Sequence, residues 1–212
     1  MKEFDFSKVK SYKFYKFMGI VIRIYCKIAY RIKFIGLENI PKNKGYILAC
    51  NHIYYLDPGF IGASLVPDVH CMAKAETFEK PILNTFVTHL NSFPVKRGAS
   101  DRTSLKFAIK VIEEGHALGI FPEGTRSKDG KPQEAKAGIA LIAKAAKADV
   151  LPLAICYDKY PIKPFKTKIT VRFGEVIPYE SLGINEGKSS ELRNAAQLIM
   201  DNIITLYEKG GA

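Results

Sequence analysis

The chain has 212 residues and a formal net charge of +11. Its length suits one α/β domain with a sizeable core, and its mix of apolar and charged residues excludes a disordered chain. The excess of Lys and Arg calls for an anionic partner: nucleic acid, an acidic membrane surface or a phosphorylated substrate.

That charge is concentrated at one end. Residues 1–35 hold nine Lys/Arg against two Asp/Glu, and no acidic residue stands between Ser7 and Leu37. Residues 12–35 are predicted as one amphipathic helix. Phe14, Phe17, Val21, Ile24, Tyr25, Ile28 and Ile32 recur at helical spacing, and Lys13, Lys16, Arg23, Lys27 and Arg31 fall on the other side. Rings and aliphatic groups opposite cations suit a helix lying in a membrane interface, where the cations meet lipid phosphates. The competing fate is a helix packed on its own domain with a solvated basic face. A secretory signal is not expected, since no compact apolar stretch leads to a small-residue cleavage site. The longest uncharged apolar run there, Phe17 to Ile22, is far short of the roughly 20 residues of a membrane span.

A turn-rich connection follows from Gly36 to Gly45, then a short apolar strand, Tyr46–Cys50. Asn51 and His52 come directly after it. Asp57-Pro58 is a helix start, with Asp as N-cap and Pro at the first helical position, and that helix reaches about Leu65. Val69–Ala73 is a strand, Ile82–Leu90 a helix, and Phe93–Lys96 a short strand ending in Arg97-Gly98. Asp101–Glu114 is a helix stopped by Gly115, and Ala117–Phe121 is a buried strand. Pro122-Glu123-Gly124-Thr125-Arg126 lies just beyond its end, and 127–132 is an exposed turn. Gly138–Ala148 is an Ala-rich helix, Val150–Tyr157 and Lys168–Phe173 are strands, and Ser189–Glu208 is a closing helix.

The alternation of strand and helix makes the class α/β, a single domain with a mixed, largely parallel sheet flanked by helices. The chain divides into a helical segment over 1–35 and this domain over 36–212. In such sheets, sites form beyond the carboxyl ends of the strands. His52, Arg97 and the Glu123–Arg126 group each follow a strand and converge on one edge if those strands are parallel.

His52 and Asp57 are candidates for acid–base chemistry. On one continuous helix they would lie about 140° apart. A turn leading into the Asp57 helix brings the carboxylate back to the ring, where it fixes the tautomer and stabilises the imidazolium. Imidazole, with an ordinary pKa near 6.5, is suited to take a proton from an alcohol. In the 121–127 segment, Gly124 allows a ligand to approach the backbone and Thr125 offers a hydroxyl. Arg126 supplies a donor fork matched to phosphate, and Glu123 can bond a polyol hydroxyl or hold Arg126.

His52-x4-Asp57 within 51–58, Phe93-Pro94-Val95-Lys96-Arg97-Gly98, 121–127, and Val150-Leu151-Pro152-Leu153 occur in that order. Together they resemble the four sequence blocks of the glycerolipid acyltransferases, in particular the bacterial 1-acyl-sn-glycerol-3-phosphate acyltransferases, over residues 35 to 180. The resemblance implies a glycerol-3-phosphate acyltransferase-like fold and an acyltransferase domain over 36–212. It implies His52 as general base and Asp57 as its partner. Arg97, Glu123 and Arg126 are implied to bind glycerol phosphate with Gly124 and Thr125, and Lys74 resembles a lysine near the family's site. The donor is then acyl-CoA or acyl-acyl-carrier-protein, and the acceptor lysophosphatidate. An anionic membrane surface is the expected partner, at the cytoplasmic face, with no cofactor, metal or nucleic acid. Another lysolipid, glycerol 3-phosphate, or lipid binding without catalysis are the alternatives. Tyr54 departs from the pattern, where many members have Ser, as does Asn91, where Gly is frequent.

Other classes fit less. The basic residues carry no RNA- or DNA-binding signature. A Gly-x-Ser-x-Gly elbow for a serine hydrolase is missing. His70, His89 and His116 have no metal-site spacing. The four cysteines, Cys26, Cys50, Cys71 and Cys156, form no paired motif and are expected as reduced thiols.

Overall fold

The computed structural model describes residues 4–96 and 101–210. Among the described residues seven strands build one sheet: β1 (Lys33–Ile35), β2 (Tyr46–Cys50), β3 (Val69–Lys74), β4 (Ser92–Val95), β5 (Ala117–Ile120), β6 (Val150–Tyr157) and β7 (Ile169–Phe173). Their order is β1-β7-β6-β2-β5-β3-β4. Every neighbouring pair is parallel except β6 with β7. The central strand β2 is buried at every position, as expected of a parallel strand covered on both faces.

The helices are α1 (Lys13–Ala29), α2 (Asp57–Ala63), α3 (Pro81–His89), α4 (Arg102–Glu113), α5 (Gly138–Ala146) and α6 (Ser189–Glu208). Side chains alternate along each strand, so the sheet has two cores. Leu48, Cys50, Leu151 and Leu153 face Cys26 and Ala29 of α1 and Phe60 and Ile61 of α2. Ile47, Ala49, Val150 and Ala154 face Phe107 and Val111 of α4, Ile139 and Ala143 of α5, and Ile199 and Ile203 of α6. Each buried Val, Leu, Ile or Phe among these contributes about 1.5–3 kcal/mol by leaving water, and the Ala and Cys side chains less.

The helix predicted over 12–35 is shorter than expected. It ends at Ala29, and Tyr30 and Ile32 both donate backbone bonds to the Cys26 carbonyl. Arg31 takes a left-handed conformation, φ 47°, which turns the chain back toward the sheet. Residues 33–35 then pair with β7 through Lys33↔Thr170 to Ile35↔Arg172. The last residues of the N-terminal segment are therefore an edge strand of the same sheet.

Helix α1 packs by a different stripe from the one its apolar pattern suggested. Tyr15, Gly19, Cys26 and Ala29 face inward. Of the apolar face read from the sequence, Phe17, Val21, Ile24, Tyr25 and Ile28 remain exposed, whereas Phe14 is half-buried and Ile32 is buried. Close approach comes from Gly19, where an added Cβ would lie 2.8 Å from the Gly62 carbonyl oxygen of α2. Arg23 reinforces the crossing by donating to the Ala63 carbonyl at 3.3 Å. Helix α1 thus rests directly on the helix that begins with Asp57. Among the described residues, no helix is long and apolar enough to cross a membrane.

Candidate active site

The parallel strands β2, β3, β4 and β5 deliver their following loops to one edge of the sheet. His52 follows β2 on that edge. Its Nδ1 lies 2.8 Å from Asp57 Oδ2. The same oxygen accepts the backbone N–H groups of Ile53 at 2.7 Å and Tyr54 at 2.9 Å. Residues 53–56 therefore wrap around the carboxylate, which folds back on the loop before it. Asp57 was expected as the N-cap of α2. It is instead the first helical residue, with Leu56 at the cap and no side-chain capping bond. Its oxygens are committed to the loop and the ring, so none is left to close the helix end.

Asp57 is 0% exposed. A buried carboxylate is tolerated only when its oxygens are well bonded, and here they are. Oδ2 accepts Ile53 N–H, Tyr54 N–H and His52 Nδ1–H, and Oδ1 accepts the Tyr157 hydroxyl. Two of those donors are backbone amides, which donate only, so Oδ2 acts as the acceptor in this set. The proton on the ring is then at Nδ1, and Nε2 is the basic nitrogen. The His52 side chain is 12% exposed, and its ring stacks on Phe121 at 4.1 Å between centroids. Phe121 thus fixes the ring plane and Asp57 fixes its tautomer.

The loop after β5 grips His52 by its backbone. Glu123 Oε1 accepts the His52 N–H at 2.7 Å, and the Ser127 N–H donates to the His52 carbonyl at 2.8 Å. Glu123 was expected to meet substrate, yet it is 2% exposed and points beneath His52. Its second oxygen is buried without a hydrogen-bond partner among the described residues. Burial pushes the Glu123 carboxyl up to about 7, against the opposing pull of the His52 and Gln133 backbone N–H groups. The folded protein then holds this proton more tightly than the unfolded chain does. The resulting stability is complete below the ordinary value near 4.5 and is lost as pH rises to about 7. Glu123→Gln, which stays neutral, is expected to remove this pH dependence. Urea unfolding should show wild type losing about 1–3 kcal/mol more than the variant between acid and neutral pH. Parallel losses in the two proteins would reject the buried, protonated carboxyl.

The other expected site residues divide by position. Gly124 has φ +72° and closes the turn with its N–H on the Phe121 carbonyl at 3.0 Å. Thr125 and Arg126 are exposed on that turn, where a ligand can reach them. Lys74 ends β3 on the same edge, with Lys74↔Val95 in register, and its ammonium pairs with Glu76 at 2.9 Å on the surface. Arg97 lies outside the described residues. Among the described residues no cluster of His, Cys, Asp and Glu is arranged to hold a metal.

Two further residues were not singled out from the sequence. Asn51 is buried, and its amide exchanges bonds with the Ile155 backbone at 3.1 and 2.8 Å, extending the β2–β6 pairing past the last strand residue. Tyr157 ends β6 and reaches Asp57. The usable signal was the length of β6, whose eight residues outrun its five-residue neighbour β2 at the site edge.

The family model described as Acyltransferase matches residues 31–156, which include His52, Asp57, Glu123 and Arg126. A 1-acyl-sn-glycerol-3-phosphate acyltransferase of Bacillus subtilis is 33% identical over 141 residues, covering 66% of this chain and 70% of that protein. One of the same name from Borreliella burgdorferi is 35% identical over 123 residues, 57% of this chain. The match there spans about half, 49%, of the relative's length. The crystal structure of the 1-acyl-sn-glycerophosphate (LPA) acyltransferase PlsC from Thermotoga maritima superposes with a TM-score of 0.69 and 25% identity. That superposition covers 92% of this chain and 80% of the other. Matched by the family model over more than half its length, and by shape over nearly all of it, the chain belongs to the acyltransferase family.

Proposed function

We propose that this protein transfers a fatty acyl group from a thioester, acyl-CoA or acyl-acyl-carrier-protein, to the free hydroxyl of 1-acyl-sn-glycerol 3-phosphate, giving phosphatidate. The observation that carries the reading is the His52–Asp57 pair, with Nε2 left basic on the edge where Thr125 and Arg126 are exposed. The names of the relatives point to the same acceptor.

In this reaction His52 Nε2 takes the hydroxyl proton as the oxygen attacks the thioester carbonyl. The carbon–sulfur bond then breaks, and the imidazolium returns its proton to the departing thiolate. Asp57 stabilises the cation between those two events. Arg126 holds the acceptor phosphate from its exposed turn, with Arg97 and Lys74 assigned to the same charge. Positioning both reactants on one surface lowers the barrier by several kcal/mol. Glu123 acts beneath the site by fixing the His52 backbone. The test is a matrix of donors and acceptors with products followed by mass. Phosphatidate from lysophosphatidate with at least one donor is expected. Acylation of a different lysolipid or of glycerol 3-phosphate instead would reassign the acceptor.

The reaction is placed at the cytoplasmic face of an anionic membrane, with the protein bound peripherally. The outward stripe of α1 is apolar, with Ile28 66% exposed, and Lys13, Lys16 and Lys27 border it. Ile82, 88% exposed, and Phe86 on α3 extend it, and the rings of Phe14 and Phe86 meet at 6.0 Å. A contiguous apolar area of this kind with a cationic border fits the acyl–headgroup boundary. The four free cysteines suit a reducing compartment. The double variant Ile24→Glu/Ile28→Glu is expected to lose most sedimentation with anionic vesicles while keeping its fold, because both side chains are already in water. Undiminished vesicle binding would remove α1 from the contact.

A further inference from the structure

Asp57 uses one carboxylate oxygen for His52 and the backbone, and the other for Tyr157. The Tyr157 hydroxyl donates to Asp57 Oδ1 from the end of β6, 100 residues along the chain. The neighbouring segment of β6 is tied to the His52 loop by the Asn51–Ile155 bonds, so the phenol is held from a rigid strand. Phe60 of α2 packs beside its ring, 6.5 Å between centroids. We propose that Tyr157 is a positioning residue of the acyl transfer: its hydroxyl sets how much negative charge Asp57 presents to the His52 ring. The proposal rests on the reading of His52 as the base.

The physical reason is competition for one charge. A carboxylate shares its negative charge between two oxygens. A strong donor on Oδ1 draws density there and weakens Oδ2 as a partner for the imidazolium. Burial, followed by the Asp57 charge and their hydrogen bond, pushes the Tyr157 phenol well above its ordinary value, so it remains a donor. Removing the hydroxyl returns charge to Oδ2 and leaves Oδ1 buried without a partner. The ring then holds its proton more tightly, and the carboxylate loses one of the bonds that fix its rotation.

Other titratable groups near the pair are Cys50 and Glu123, which feel the Asp57 charge, and Tyr207, which lies by Tyr157. Burial pushes the Cys50 thiol well up, and it raises Tyr207 too, so neither gains charge near neutral pH. Glu123, at about 7, does titrate there, so each comparison is run with and without Glu123→Gln.

The experiment follows the His52 imidazole by NMR across pH in wild type and Tyr157→Phe. In the variant the midpoint is expected to rise by about 0.5–1 unit, with or without Glu123→Gln. In the same preparations, kcat for lysophosphatidate acylation is expected to fall about tenfold with KM within about twofold. In an Asp57→Asn background, Tyr157→Phe is expected to leave the midpoint in place, because the charge it modulates is gone. An unmoved midpoint in the single variant overturns the proposal, and so does an equal shift in both backgrounds. A moved midpoint in a protein that makes no phosphatidate keeps the coupling and sinks the assigned reaction instead.

Discussion

Replacing His52 with alanine is expected to leave a folded protein that transfers acyl groups about 10²–10⁴-fold more slowly. The fold survives because the bonds that hold this position use its backbone. The Glu123 carboxyl oxygen and the Ser127 amide both bind main-chain atoms of residue 52. Loss of the ring also orphans no buried group. Asp57 Oδ2 keeps the amides of Ile53 and Tyr54, and Oδ1 keeps Tyr157. In the proposed reaction the ring is the proton acceptor, so the loss should fall on kcat. A melting temperature close to wild type with product formation at background is the expected pair of results. Full turnover in folded His52→Ala would require another base.

Asp57→Asn is expected to cost about 10–10³-fold in kcat, the scale of one opposite charge beside a titrating group. Here the geometry separates charge from tautomer. Two backbone amides point at the Oδ2 position, so the asparagine must place its carbonyl oxygen there. That oxygen still accepts Nδ1–H and preserves the tautomer, while the amide nitrogen turns to the Tyr157 oxygen. The variant therefore removes the negative charge and keeps the arrangement. Its kcat loss measures how far the carboxylate stabilises the imidazolium. Acceptor KM is expected within about twofold of wild type, since Asp57 is buried away from ligand. A large rise in KM at constant kcat would place Asp57 in substrate binding instead.

Much of the architecture was legible in the pattern of apolar residues. The bounds of β2, β6 and α6 match their expected ranges, because uninterrupted apolar runs and a long amphipathic stretch are strong local signals. The His52–Asp57 pairing was also legible, since Pro58 forces a helix start that leaves the preceding loop to turn back. The end of α1 was not. Nothing in Tyr30-Arg31-Ile32 breaks helical periodicity. The chain turns there because Tyr30 and Ile32 bury under the sheet, a tertiary effect. The inward aim of Glu123 was hidden for a similar reason. A glutamate after a strand reads as surface chemistry until the His52 backbone is seen above it. For Tyr157 the length of β6 was a pointer, but the residue's place beside Asp57 needed the register of β6 against β2.

The most direct measurement is intact-mass analysis of the protein mixed with acyl donor, before and after lysophosphatidate is added. Direct attack by an alcohol deprotonated at His52 predicts an unmodified protein throughout and phosphatidate only after the acceptor arrives. A protein carrying one acyl group before any acceptor is present, and passing it on afterwards, would contradict that chemistry.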